Sequence, residues 1–209
     1  MRTLYKSVKM ILLVTIVAGI MSLVRFVLTE YDSYLWLNWN LFLGLLPLLF
    51  AWLVTISKRF WLSSILVILW LGFLPNAPYL VTDFIHMADI GPQSLLWYDA
   101  MMIFMYTVAG IASWIVSVQV LQSKFTWPSW VVWLIAFLTG FGIYIGRYIR
   151  FNTWDIVTNP SAIFETIGVI ITQPKNHEPV IGMTVVFTVI LVTLYFGFTS
   201  LSYNEQTKN

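Results

Sequence analysis

Six apolar runs, each near the roughly 20 residues that a bilayer-crossing helix needs, leave this chain little choice of fold. They are read over Met10–Leu28, Asn40–Ser57, Phe60–Leu74, Leu95–Leu121, Pro128–Arg147 and Val180–Leu201. The third is short, and the residues after its Pro-Asn-Ala-Pro break are expected to lengthen it. Composition agrees: 59% of the 209 residues are hydrophobic, only 10% are charged, and the mean hydropathy is +0.83. Soluble domains run nearer a quarter charged. The expected fold class is therefore an all-α integral membrane protein, a bundle of about six transmembrane helices forming one polytopic domain over residues 1–209.

A net charge of +2 with dispersed Lys and Arg residues excludes a nucleic-acid binder. The absence of cysteine excludes disulfides, thiolate metal sites and a cysteine nucleophile. No small-residue cleavage site follows Ala18–Gly19, so the first run reads as an uncleaved helix rather than a signal peptide.

Six helices return both termini to one face, and the basic residues that flank the spans orient them. Arg2, Lys6, Lys9, Lys58, Arg59, Lys124 and Lys208 fall on the side of the termini, against Arg25, Arg147, Arg150 and Lys175 opposite. This imbalance predicts cytoplasmic termini. Glu30, Asp32, Asp83, Asp89, Asp155, Glu165 and Glu178 then lie outside, with Asp99 just within the outer end of the fourth helix. Trp36, Trp39, Trp97, Trp127, Trp130 and Trp154 sit near span ends, as an interfacial aromatic belt requires.

One face thus holds nearly all the polar chemistry. Its first concentration is "FLPNAPYLVTDFIH", Phe73 to His86. Pro75 and Pro78 remove backbone donors and stop or bend the helix near Leu74. At membrane depth a broken helix survives only where its freed carbonyls face protein or a wet cavity, and Asn76 is placed to satisfy some of them. The segment is either a tight exit turn or a re-entrant elbow. A short helix is expected over Val81–Ile90, with Asp83, His86 and Asp89 at three-residue spacing and so on one face. Carboxylate and imidazole so placed could act as an acid–base pair or hold a divalent metal. Alternatively, Thr82 or Asp83 caps the helix and the histidine is simply solvated.

The second concentration is "GIYIGRYIRFNTWDIVTNP", Gly142 to Pro160. Arg147 and Arg150, one turn apart and followed by Asn152 and Asp155, could clamp a phosphate or carboxylate. Cations at a helix C-terminus, and Asp99 at an N-terminus, also complement the helix dipole. Charge this close to lipid generally faces a cavity or the bundle interior, which favours a shared polar pocket of Asp83, His86, Arg147 and Arg150 with Arg25, Asp99, Asp155 and Asn76 nearby. Beyond it, Asn159 and Pro160 predict the start of a helix. Its apolar stripe Ile163, Phe164, Ile167, Ile170 and Ile171 suits the outer interface. Gly142 and Gly146 allow close helix approach.

The segments "FLPNAPYLVTDFIH" and "GRYIRFNTWDI" resemble the hallmark segments of a bacterial multi-pass family catalogued as domain of unknown function 1361, with the likeness running from the second helix to the sixth. The resemblance implies a polytopic bacterial membrane protein without an established activity, and it carries over no catalytic residues. Three classes of function stay open. An envelope enzyme acting on a lipid or lipid-linked headgroup would use Asp83 and His86 as base or metal ligands and the arginines to hold phosphate. A non-catalytic assembly or scaffold protein would pair those charges off. A small-solute transporter is disfavoured by a midplane poor in ionisable residues.

Overall fold

The computed structural model describes residues 2–29, 34–88, 93–151, 154–173 and 178–206. Of the described residues 91% are helical, and no strand occurs among them. Among the described residues, six helical segments are long and apolar enough to cross a membrane: Tyr5–Thr29, Trp36–Ile56, Phe60–Met87, Leu96–Phe125, Trp130–Ile149 and Pro179–Ser200. Each matches one of the expected runs to within a few residues, except that the third continues through its proline break as anticipated. The protein is an all-α multi-pass membrane bundle.

The chain divides into two compact units, Met1–Thr126 and Trp127–Asn209. The first contains α1 (Arg2–Thr29), α2 (Trp36–Ile56), α3 (Phe60–Phe73), the single-turn α4 (Asn76–Tyr79), a 3-10 helix over Leu80–Ala88, a 3-10 turn over Gln93–Leu95, and α5 (Leu96–Phe125). Within it, α5 packs against α1, α2, α4 and the longer 3-10 helix. The sequence explains why α5 takes the centre. Its inward positions include Ala109, Gly110, Ser113 and Ser117, small residues that let neighbouring backbones come close where lipid supplies no hydrophobic drive between helices. Small hydroxyls also tie it to its neighbours. Ser113 donates to the Gly44 carbonyl at 2.9 Å, and the Trp70 indole donates to Ser117 at 3.2 Å. By contrast α3 buries only Leu66 and Trp70, and Phe60, Trp61, Ile65 and Ile68 stay exposed. That outer surface suits acyl chains.

The Pro-Asn-Ala-Pro break is an elbow sunk between α2 and α5. Leu74 and Pro75 keep right-handed helical angles, so the chain bends without unwinding. The freed groups are taken up locally: the Asn76 side-chain amide donates to the Phe73 carbonyl at 3.0 Å, Ala77 N–H to Leu74 at 3.2 Å and Tyr79 N–H to Pro75 at 3.1 Å. The Asn76 and Ala77 carbonyls instead press against two glycines. A Cβ on Gly44 would lie 3.1 Å from Asn76 O, and one on Gly110 would lie 2.1 Å from Ala77 O. Buried backbone at this depth thus faces protein, as physical necessity demands. α5 ends where Thr126 turns into the left-handed region at φ 52°.

The second unit contains α6 (Trp130–Tyr144), a π-helical turn (Ile145–Ile149), α7 (Asp155–Thr158), α8 (Pro160–Thr172) and α9 (Glu178–Gln206). α6 and α9 lie against each other, with close approach at Gly140, whose Cβ would meet Thr184 O at 2.8 Å. Pro160 occupies the first helical position of α8 as expected, but Asn159 makes no side-chain capping bond to the helix. Its amide oxygen accepts from the Ser161 hydroxyl at 3.4 Å instead. Of the expected apolar stripe, Ile170 is buried with Tyr144 and Val180, while Phe164 is 74% exposed.

Candidate functional site

The buried charged side chains of the first unit, Arg25, Asp83 and Asp99, lie toward the end where α1 finishes and α2 and α5 begin. At its centre is a buried ion pair that sequence reasoning did not join. Arg25 of α1 and Asp99, in the first turn of α5, are 2% and 1% exposed. The guanidinium engages the carboxylate with both arms, Nε donating to Oδ1 at 2.5 Å and an Nη to Oδ2 at 3.1 Å. Such a fork is the strongest pairing that arginine makes with a carboxylate. Both charges were legible as outliers in an apolar chain. Their partnership was not, because it links residues 74 positions apart.

Tyr34 covers this pair, its ring centroid 5.6 Å from the guanidinium carbon of Arg25. Burial raises the phenol to about 12, and the negative charge of Asp99 adds to the rise. Tyr34 therefore stays protonated, its hydroxyl buried beside the Asp99 carboxylate. A second polar relay runs alongside: Tyr106 donates to the Asn38 amide oxygen at 2.7 Å, and the Asn38 amide donates to Ser22 at 3.1 Å. It ties the same three long helices, α5 to α2 to α1.

The stretch that carries Asp83 and His86 is a 3-10 helix rather than an α-helix. With three residues per turn, positions three apart eclipse one another. Leu80, Asp83 and His86 therefore form one straight ridge, and burial falls along it: Leu80 and Asp83 are fully buried and His86 is half-buried. The ridge runs against the start of α2 in two rungs. The Asn40 amide reaches the Asp83 carboxylate at 3.4 Å, a long contact, and the Trp36 and His86 rings meet edge to face at 5.4 Å. Thr82 does not cap the segment; its hydroxyl donates back to the Tyr79 carbonyl at 2.7 Å. Asp83 and His86 are thus brought together on one face, as the spacing predicts.

The third member of that expected series, Asp89, lies outside the described residues, as does Asn152. Among the described residues, no group of three His, Cys, Asp or Glu side chains gathers as a metal would require. In the second unit, Arg147 falls inside the π-helical turn and is half-buried. Arg150 follows it, exposed and in the left-handed region at φ 65°. π-helical turns recur at functional sites because the extra residue re-aims the side chains that follow it. Asp155 opens α7 and accepts from the Thr158 hydroxyl at 3.4 Å.

No curated protein and no solved structure matches this chain. The family described as "Protein of unknown function (DUF1361)" matches residues 39–205. That stretch holds the elbow, the Asp83–His86 ridge, Asp99 and both arginines of the second unit, but leaves Arg25 and Tyr34 before it. Two hallmark segments, the six spans and a match over most of the chain agree: the protein belongs to this family of unknown function.

Proposed function

We propose that the protein presents its polar ridge on the extracytoplasmic face of the cell membrane and there acts on a lipid or lipid-linked headgroup. The observation that carries this reading is the burial gradient along the ridge. Asp83 sits fully buried behind a half-buried His86, so the carboxylate is positioned by protein while the imidazole meets what arrives from outside. In this reading Asp83 and His86 are the acid–base pair. In the second unit, Arg147 and Arg150 are the residues that would hold a phosphate. If a divalent metal takes part, Asp83, His86 and Asp89 are the ligands.

A test needs no known reaction. Protein purified in mild detergent should retain a phosphate-bearing lipid detectable by native mass spectrometry. Asp83→Asn, His86→Ala and Arg147→Lys should lower that retention at least tenfold with an unchanged melting temperature. Retention that falls only where the protein itself becomes unstable would leave the ridge a structural feature.

A scaffold reading also has a specific observation in its favour. Arg25 and Asp99 neutralise each other completely, as charges in a purely structural bundle should. It predicts that the three variants lose protein and lipid together.

The orientation is testable in this cysteine-free chain. Ser94→Cys and Ser161→Cys, both at exposed positions, should label with an impermeant thiol reagent in intact cells. Ser123→Cys should stay protected until the membrane is opened. The reverse pattern would put the ridge in the cytoplasm.

A further inference from the structure

We propose that the first unit docks an anionic phospholipid at the end opposite the ridge, on the link between α2 and α3. The Arg25–Asp99 pair and the Asn38–Ser22 contact join the end of α1 to the starts of α5 and α2. The start of α1 and the ends of α2 and α5 therefore lie at the other end, and α3 begins there after a link of residues 57–59. This opposite end carries Lys6, Lys9, Lys58, Arg59 and Lys124, all exposed. No Asp or Glu occurs in residues 1–29, 33–82 or 100–126, so the unit supplies no carboxylate beside them. Among the described residues none of the five is ion-paired. Charge of one sign is neutralised from outside the unit, and the anions of a bilayer surface are lipid phosphates.

The preference of cations for one side of a membrane accounts for the side alone, not for how the link is built. Lys58 and Arg59 adjoin each other, and the next two residues are exposed aromatics, Phe60 at 88% and Trp61 beside it. The guanidinium carbon of Arg59 lies 6.0 Å from the centre of the Trp61 ring. A guanidinium resting on a ring keeps its N–H edge in plane, where it can fork a phosphate. Lys58 adds a point charge next to it. Further along α3, Trp61, Ile65 and Ile68 follow at helical spacing and are all exposed. Cation, indole and apolar stripe thus succeed one another in the order in which a phospholipid presents phosphate, glycerol and acyl chain. The stripe is an open helix face, which an acyl chain covers without a cavity.

A lipid on an open face exchanges with detergent, so the test is made in bicelles. The full chain is reconstituted in phosphatidylcholine, and its melting temperature is followed against dioctanoyl phosphatidylglycerol, dioctanoyl phosphatidylcholine and inorganic phosphate. Phosphatidylglycerol should stabilise the protein saturably, and the other two should not. Lys58→Gln combined with Arg59→Gln should weaken half-saturation about tenfold or more, from the loss of two surface charges. Both positions are exposed, so the melting temperature without phosphatidylglycerol should not change, and Lys6, Lys9 and Lys124 still hold the orientation. Trp61→Leu should weaken binding less, and His86→Ala and Arg147→Lys should leave it intact. An equal response to phosphatidylcholine or to inorganic phosphate would overturn the proposal. So would a response that survives in the double variant, or one that disappears with His86→Ala or Arg147→Lys. A double variant that melts lower before any phosphatidylglycerol is added would make the link structural and would also count against it.

Discussion

Gly110→Ala is expected to remove folded protein from the membrane almost entirely. The new methyl carbon would sit 2.1 Å from the carbonyl oxygen of Ala77 and 3.1 Å from its carbonyl carbon, inside any tolerable contact. A side chain in the way could swing aside, but these are backbone atoms of an elbow held by its own hydrogen bonds and wedged against α2. Overpacking usually costs about 1–3 kcal/mol, and a backbone-on-backbone clash belongs at or above the top of that range. The glycines grade the expectation. Gly44→Ala, at 3.1 Å from Asn76 O, should be milder because a shift of a few tenths of an ångström relieves it. Gly168→Ala meets nothing within 4 Å and, inside α8, should raise stability by roughly 0.5–1 kcal/mol through helix propensity. Membrane yield and detergent melting temperature across the three variants should follow that order. Equal behaviour of Gly110→Ala and Gly44→Ala would mean that the elbow is not wedged.

Breaking the buried ion pair has the second large expected effect. Asp99→Asn leaves the Arg25 guanidinium charged with its carboxylate gone, in surroundings where it is 2% exposed. Loss of one partner of a buried pair typically costs about 3–5 kcal/mol, equivalent in a chain of this size to roughly 10 °C in melting temperature. Arg25→Met should cost a similar amount through the stranded carboxylate. The double variant Arg25→Met with Asp99→Leu should recover most of the loss, because a well-packed apolar pair carries no desolvation penalty. If the two single losses simply add in the double variant, the bidentate contact contributes no coupling and the helices are held by packing alone.

These contrasts also mark which parts of the molecule could be read from the chain. The spans were legible because lipid imposes a length and a composition that few other contexts share. The proline break was legible because its cause is covalent: Pro75 and Pro78 carry no N–H wherever they stand. The shared face of Asp83 and His86 was legible without knowing the helix type, since spacing by three aligns side chains on an α-helix approximately and on a 3-10 helix better. What stayed hidden was partner choice. Nothing local to Arg25 names Asp99, and nothing near Trp36 or Asn40 names the ridge across from them. Close approach was anticipated at Gly142 and Gly146, while Gly110, alone in its stretch of α5, gave no pattern although the elbow depends on it. Spacing motifs reveal contacts that repeat along a helix, and a single crossing point repeats nothing.

The left-handed Thr126, at φ 52°, closes a set of four spans, and two follow it. Both numbers are even. An even set of crossings returns the chain to the side where it started, so each half is a closed series of hairpins that begins and ends on one face. A ribosome working at about 5–20 residues per second would therefore deliver the elbow, its glycine cradle and the Arg25–Asp99 lock to the bilayer before Trp130 emerges. The first half can mature as a finished insertion product while the second is still being made.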